Sequence, residues 1–319
     1  MDQKIIFIGA TGYETYCSQG RSALLDQGCL LLENHKSGPY GREELLELAP
    51  SISGVISGCE VWDEETISAA PHLKVIVKFG TGVDNIDLQA AKSHGVQVAN
   101  CPGLNSVSVA EHTFALVLSC LRKVPSLDRS VREGQWERCV FPEISGAVWG
   151  VLGFGAAGRE VAVRAKAFGA HVLAYDKFPN ETAAQALGVR LCSLEEVLAQ
   201  ADILTIHLPA LPETVHLINR TRIQTMKPGA VVVNTARGVV VDEKAIAEAL
   251  SNGILSSYGS DVYEQEPIDG TSPLLTCPHT VFSPHLAGES INSYAKIGAA
   301  AAQSVLTVLS GGELDHRLA

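Results

Sequence analysis

The run Ala147-Val148-Trp149-Gly150-Val151-Leu152-Gly153-Phe154-Gly155-Ala156-Ala157-Gly158 decides the fold. Ala147 to Leu152 is a short apolar stretch that reads as a buried strand, and Arg159 to Phe168 reads as a helix with Val161, Ala165 and Phe168 on one face. Three glycines at this spacing between a strand and a helix mark a turn that receives a dinucleotide pyrophosphate. Gly153 permits the tight turn, Gly155 lets the backbone approach the phosphates, and Gly158 lets helix and strand pack closely. Ala156 and Ala157 belong to the same set, because the helix N-terminus supplies amide donors to the phosphates. A second strand, Ala170 to Tyr175, ends at Asp176, which can accept from the ribose hydroxyls and repels a 2′-phosphate. The expected cofactor is therefore NAD rather than NADP, with the neighbouring Lys177 the residue that pulls the other way. A glycine triad alone is weak evidence. The order strand, triad, helix, strand, acid is much stronger.

Some 145 residues precede this strand, so another domain must be built from them. Within the first hundred residues, Lys4 to Ile8, Gly54 to Ile56, Leu73 to Phe79 and Val96 to Ala99 read as strands, with helices at Glu43 to Leu48 and Ile86 to Ser93. A long helix follows from Ser106 to Leu121, with Asn105 as its N-cap, and then an aromatic, charged arm from Arg129 to Pro142 without periodicity. After residue 147 the alternation resumes with strands at Asp202 to Leu208, Ala230 to Ala236, Ser256 to Val262 and Thr280 to Phe282. Ser193-Leu194-Glu195-Glu196 is a capping box, and Ser290 to Leu309 is one Ala-rich helix able to return to the first domain. Such alternation implies parallel sheets covered on both faces. The expected fold is α/β, two doubly wound parallel-sheet domains, with a Rossmann NAD-binding domain inserted into a flavodoxin-like substrate domain. Residues 1–100 plus 289–319 form the substrate domain and 101–288 the NAD-binding domain, which includes the long helix and arm over 105–146.

Composition narrows the class. Hydrophobic residues make up 46% of 319, enough for two cores. Thirty-five acidic against 24 basic residues give a net charge of −11, which argues against a nucleic-acid partner. No apolar run reaches membrane-spanning length, and Met1 to Lys4 leads straight into Ile5-Ile6-Phe7-Ile8, leaving no room for a signal peptide. Eight cysteines without a Cys-x-x-Cys pair read as reduced thiols, neither a metal site nor a disulfide framework, and the expected location is cytoplasmic.

In doubly wound sheets ligands bind beyond the carboxyl ends of the strands. Arg237 directly follows Val231-Val232-Val233-Asn234-Thr235-Ala236, Glu266 lies past Asp261-Val262, and His285 lies in Ser283-Pro284-His285-Leu286-Ala287-Gly288. Singly, each has a plain structural reading as a surface ion-pair or loop residue. Jointly, after a dinucleotide turn, they are what hydride transfer to a 2-keto acid needs. Arginine offers a planar fork to a carboxylate and its neighbouring carbonyl. Histidine exchanges a proton near neutral pH, and a paired carboxylate stabilises its imidazolium. His112, inside the long helix, and His207, at a strand end, read as structural or cofactor-adjacent.

These residues resemble the D-isomer-specific 2-hydroxyacid dehydrogenases over nearly the whole chain. The most specific pieces are Gly80-Thr81-Gly82-Val83-Asp84-Asn85-Ile86-Asp87, Asn105 with Val109-Ala110-Glu111-His112-Thr113, the glycine triad, Asn234-Thr235-Ala236-Arg237-Gly238, Asp261-Val262 with Glu266-Pro267, and Ser283-Pro284-His285. The resemblance implies that Arg237 binds the substrate carboxylate and carbonyl, and that His285, paired with Glu266, is the acid–base. It implies further that Asp261 contacts the nicotinamide carboxamide and that amides near Thr81, Gly82 and Val83 hold the substrate carboxylate. Leu208, Thr235, Ala236 and Gly288 complete the expected cofactor set. A homodimer is also implied, with Trp136 and Phe141 of the arm at its interface and the active site in the cleft between domains.

The stretches 80–85 and Gly134-Gln135-Trp136-Glu137-Arg138 look most like the D-3-phosphoglycerate dehydrogenase branch. Lys78 and Arg138 could then supply cations to a substrate phosphate, although Gly58 stands where that branch tends to carry arginine. The chain ends at Ala319 without the regulatory domain of the longer enzymes, so feedback by serine is not expected. Glyoxylate, hydroxypyruvate and other small 2-keto acids are alternative substrates. An NAD-sensing binding protein of the corepressor type is a reading from another class, and formate dehydrogenases, which pair glutamine with their histidine, are disfavoured by Glu266.

Overall fold

A computed structural model describes residues 3–314 and 317–319 of the chain, which divides into two compact units, Met1–Asn105 with Glu289–Ala319, and Ser106–Gly288. In the first unit β1 (Ile5–Ile8), β2 (Leu30–Glu33), β3 (Gly54–Ser57), β4 (Val75–Lys78) and β5 (Gln97–Ala99) form one parallel sheet in the order β2-β1-β3-β4-β5. This is the flavodoxin-like order. Both faces are covered, so the central strands are continuous apolar runs rather than alternating ones. Ile6, Ile8, Val75 and Val77 pack on one face and Phe7, Val55, Ile76 and Val98 on the other. The sequence reading contained no strand at β2, a four-residue edge strand left half in solvent, with Leu30 42% exposed.

The helix Ile291–Leu309 closes this unit by packing on the helix Ser18–Asp26. The crossing is tight. A Cβ on Gly20 would lie 2.3 Å from the carbonyl oxygen of Gly298, which accepts a hydrogen bond from the buried Tyr13 hydroxyl at 3.0 Å. Burial raises the pKa of that phenol, so it remains a donor across the assayable range.

The second unit holds β6 (Val148–Leu152), β7 (His171–Tyr175), β8 (Arg190–Leu191), β9 (Ile203–Ile206), β10 (Ala230–Asn234), β11 (Leu255–Ser260) and β12 (Thr280–Phe282). They are parallel, in the order β12-β11-β10-β9-β6-β7-β8. The chain runs outward from β6 to β8 and then returns to β9 on the other side of β6. That reversal is the topological switch point at which dinucleotides bind. The helix Ser106–Arg122 covers one face, stacking Phe114 on Trp149 at 4.7 Å between ring centroids. The Trp149 indole N–H, buried in this core, donates to Thr205 Oγ1 at 3.0 Å. The helix after β6 spans Ala156–Ala167, three residues earlier than the periodicity of its apolar face indicated, because Ala156 to Gly158 form its first turn. A helix Val124–Arg132 takes up the first part of the expected arm. Residues 135–143 carry no regular structure, and Trp136 and Val140 stand 82% and 100% exposed. Among the described residues no helix is long and apolar enough to cross a membrane, and no group of His, Cys, Asp and Glu is placed to hold a metal ion.

Candidate active site

The turn after β6 is built to leave backbone, not side chain, facing a ligand. Gly153 has φ 92°, and a Cβ there would lie 2.6 Å from the carbonyl oxygen of His207. A Cβ on Gly158 would lie 2.0 Å from Gly153 O, whereas one on Gly155 would meet nothing within 4 Å. Gly153 and Gly158 are thus required by packing, and Gly155 fronts open space. No side chain caps the helix Ala156–Ala167 at Gly155, so its leading amides and the positive end of its dipole are left to an anion. Such a cradle fits a pyrophosphate. Asp176, beyond β7, accepts from Phe154 N at 2.7 Å through Oδ2 and from Phe178 N at 2.8 Å through Oδ1, which leaves each oxygen a further lone pair for a ribose hydroxyl. Lys177 pairs with Glu213 at 2.6 Å, which offsets the cation beside the acid.

On the other side of the switch point the strand ends carry the remaining candidates. Leu208 is buried beyond β9, and the hydroxyl of Thr235, beyond β10, meets that of Thr113 at 2.9 Å. The side chain of Asn234 folds over the next turn, accepting from Ala236 N at 3.0 Å and donating to Arg237 O at 2.9 Å. Gly238 follows because nothing larger fits: a Cβ there would lie 1.9 Å from the backbone carbon of Tyr263. The turn bearing Arg237 is thereby pressed against the loop that leads to Glu266.

Glu266 is held at both oxygens. Oε1 accepts from Tyr263 N at 3.0 Å and Oε2 from His285 Nδ1 at 2.6 Å. Because a carboxylate only accepts, Nδ1 carries the proton and Nε2 is the atom that His285 offers outward. Burial alone would raise the pKa of Glu266. The hydrogen bonds from His285 and Tyr263 and the charges of His285 and Arg237 outweigh it and hold the carboxyl below its ordinary range. His285 adopts φ 53°, a left-handed backbone that costs energy for a residue with a side chain.

Asp261, which is 1% exposed, holds that turn. Its Oδ1 accepts from Ser283 Oγ at 2.6 Å and Leu286 N at 3.0 Å, its Oδ2 from Ala287 N at 2.8 Å, and its main-chain oxygen from His285 N at 2.8 Å. Ser283 Oγ also lies 2.7 Å from His112 Nε2, and Ser283 O accepts from the Tyr263 hydroxyl at 2.9 Å. Gly288 ends the segment and the unit. Ser283, Tyr263 and His112 were not singled out as site residues by the sequence reading. The available signals were the serine directly before Pro284-His285 and the imidazole inside an otherwise apolar helix.

Lys78, Thr81, Gly82 and Val83 lie in the first unit, at the carboxyl end of β4. No backbone hydrogen bond among the described residues takes up the N–H of Thr81, Gly82 or Val83. Lys78 is differently placed from the expectation of an ammonium offered to a phosphate. Its Nζ donates to Gly58 O and, at 2.9 Å, to Asn85 Oδ1, so at least two of its three N–H groups serve the loop's own structure. Asn85 in turn donates to Glu60 O at 2.5 Å. Glu60 itself is 1% exposed, and its Oε1 has no hydrogen-bond partner among the described residues. Burial pushes its carboxyl up, against the pull of its own and Gly58's N–H and the Lys78 charge. Arg138 lies in the exposed, irregular segment of the second unit.

A family model for the NAD binding domain of the D-isomer specific 2-hydroxyacid dehydrogenases matches residues 114–287. The chain is 41% identical over 273 residues to D-3-phosphoglycerate dehydrogenase of Archaeoglobus fulgidus, covering 85% of this chain and 52% of that protein. It is 37% identical over 255 residues to glyoxylate reductase of Korarchaeum cryptofilum, covering 78% and 77%. The solved structure of NAD-dependent formate dehydrogenase from Staphylococcus aureus in complex with NAD superposes with a TM-score of 0.85 at 28% identity, covering 99% of this chain and 98% of that one. The chain belongs to the D-isomer specific 2-hydroxyacid dehydrogenase family, and residues 114–287 are its NAD-binding domain. It spans about half the length of the relatives named D-3-phosphoglycerate dehydrogenase that it matches.

His207 abuts the cradle, and both its ring nitrogens are buried without a hydrogen-bond partner among the described residues. Burial lowers its pKa from 6.5 to about 4, so the folded protein holds it neutral where the unfolded chain would protonate it. Stability tied to this residue is complete above pH 6.5 and is lost as the pH falls toward 4. Urea unfolding at pH 7 and pH 5 is expected to show the wild type losing about 2 kcal/mol more than His207→Leu over that interval. Equal losses would mean that the ring is not held neutral.

Proposed function

We propose that this chain is an NAD-dependent dehydrogenase that transfers a hydride between nicotinamide and C2 of a small D-2-hydroxy acid or its 2-keto acid. The observation that carries the reading is the His285–Glu266 pair at 2.6 Å, with the charge of Arg237 bearing on the same carboxylate. Arg237 holds the substrate carboxylate and polarises the carbonyl with its fork. His285 Nε2 gives a proton to the carbonyl oxygen during reduction and takes it back during oxidation, while Glu266 stabilises the imidazolium through Nδ1. The nicotinamide half lies on the β9–β12 side of the switch point, where Asp261 holds the His285 turn, and the amides of Thr81, Gly82 and Val83 receive the substrate carboxylate. Bound nicotinamide supplies or accepts the hydride. The cradle of Gly153, Gly155, Ala156, Ala157 and Gly158 with Asp176 supports NAD over NADP, since Asp176 faces a 2′-phosphate with like charge and Lys177 is paired elsewhere.

For the substrate, 3-phosphoglycerate is the first acid to test, because several relatives carry that enzyme's name and Arg138 is solvent-exposed. The bonds of Lys78 to Gly58 and Asn85 favour the second reading, an unphosphorylated keto acid such as glyoxylate or hydroxypyruvate. Eight free cysteines, with burial raising Cys17, Cys101 and Cys120 to about 11–12, support a reducing, cytoplasmic setting. The exposed Trp136 and Val140 support a homodimer, because apolar groups of this size in an irregular segment gain by being covered.

His285→Ala is expected to lower kcat by about 10²–10⁴-fold while NADH binding, followed by fluorescence, changes little. Near-normal kcat would remove the assignment. Glu266→Gln should lower kcat for keto-acid reduction, because His285 loses the carboxylate that orients its ring through Nδ1; an unchanged kcat would remove that role. Sedimentation should give a dimer for the wild type and a monomer-shifted equilibrium for Trp136→Lys. A monomeric wild type would contradict the partner proposed for that face.

A further inference from the structure

The proton count at Ser283 assigns a direction to a chain of hydrogen bonds that begins outside the reacting groups. Ser283 Oγ lies 2.6 Å from Asp261 Oδ1 and 2.7 Å from His112 Nε2. A hydroxyl has one proton, and a carboxylate only accepts, so Ser283 donates to Asp261. His112 must then donate from Nε2 to Ser283. Its Nε2 also lies 3.6 Å from Asp261 Oδ1, so a protonated ring would add a charge attraction in the same sense. Every donor in the cluster therefore points at one buried carboxylate: Ser283 Oγ–H, Leu286 N–H and Ala287 N–H, with His112 N–H behind the first.

What this carboxylate holds is the strained turn. His285 sits at φ 53° between Ser283 and Leu286, whose polar groups bond to Asp261, and its own N–H donates to Asp261 O at 2.8 Å. A left-handed conformation in a residue with a side chain persists only when its surroundings over-determine it. His112 is on the helix Ser106–Arg122, a rigid element of 17 residues packed against β10, β11 and β12, and it anchors the turn to that helix.

We propose that His112 is a positioning residue: through Ser283 and Asp261 it locks the left-handed turn that presents His285 to Glu266 and to substrate. The proposal rests on His285 being the acid–base. It assigns to His112 an Nε2–H that donates, and no contact with the reacting atoms.

The test uses the whole chain and three variants: His112→Gln, which keeps a donor at the end of its side chain, and His112→Phe and Ser283→Ala, which do not. Proton–nitrogen NMR of the histidine rings reads the His285 Nδ1–H that donates to Glu266. The downfield resonance is expected in the wild type and His112→Gln, and should broaden or vanish in His112→Phe and Ser283→Ala. The wild-type His112 ring should carry its proton on Nε2. In the keto-acid assay, kcat should fall about tenfold for His112→Phe and stay within about threefold for His112→Gln. ADP-ribose, which fills the cradle without a nicotinamide, should bind all four proteins within about twofold by calorimetry. A His112 ring bare at Nε2, or an unchanged His285 resonance in His112→Phe, overturns the proposal. So does equal damage by His112→Phe and His112→Gln, or ADP-ribose weakening in step with kcat. A wild type that reduces no keto acid would refute the proposed function, while the resonances still decide the role of His112.

Discussion

The carboxylate of Asp261 is the constraint on which the site in the second unit turns. It lies at the end of β11, 1% exposed, and a bare carboxylate there would be costly to bury. The cost is offset by donors drawn from one short segment, Ser283 to Ala287, and those same donors fix the path of the chain around His285. Its own N–H donates to Asn234 O at 3.0 Å, which ties the cluster to β10 and the turn that carries Arg237. Arg237, Glu266 and His285 come from three strand ends, yet their spacing is set by a few backbone and side-chain bonds of 2.6–3.0 Å around this residue and Tyr263. A site of this kind is preorganised, because no group need be recruited for the His285–Glu266 pair to exist.

The first unit solves a related problem with a different chemistry. Its loop after β4 is anchored by Asn85, which bonds to Ser57, Gly58 and Glu60 and accepts from Lys78. The consequence is that a cation which sequence spacing offers to a ligand is engaged in shaping the loop that carries Thr81 to Val83.

Much of this was legible before any coordinates. Strands buried on both faces advertise themselves as continuous apolar runs, as Val231 to Val233 and Val75 to Val77 do. The edge strand β8 does not, having two residues, while β2 carries the short run Leu30-Leu31-Leu32, which is partly solvated at the sheet edge. Within the site, Arg237, Glu266 and His285 could be read because each stands directly past a strand. Asp261 was named through resemblance, and its clamp on the His285 turn was not visible. The His112–Ser283 bond joins residues 171 positions apart, and no local pattern encodes a partner at that distance. Asp176 was read as a ribose acceptor, and its two backbone bonds, which fix its orientation beside the glycine turn, came only with the fold.

The most direct measurement follows the hydride itself. NADH carrying deuterium at the transferable C4 position of nicotinamide is incubated with the chain and each of a set of 2-keto acids, phosphorylated and not, and the products are read by mass spectrometry and NMR. The account predicts that deuterium from one face of the nicotinamide appears at C2 of a D-2-hydroxy acid for at least one member of the set. NADH binding with no deuterium in any product would contradict it.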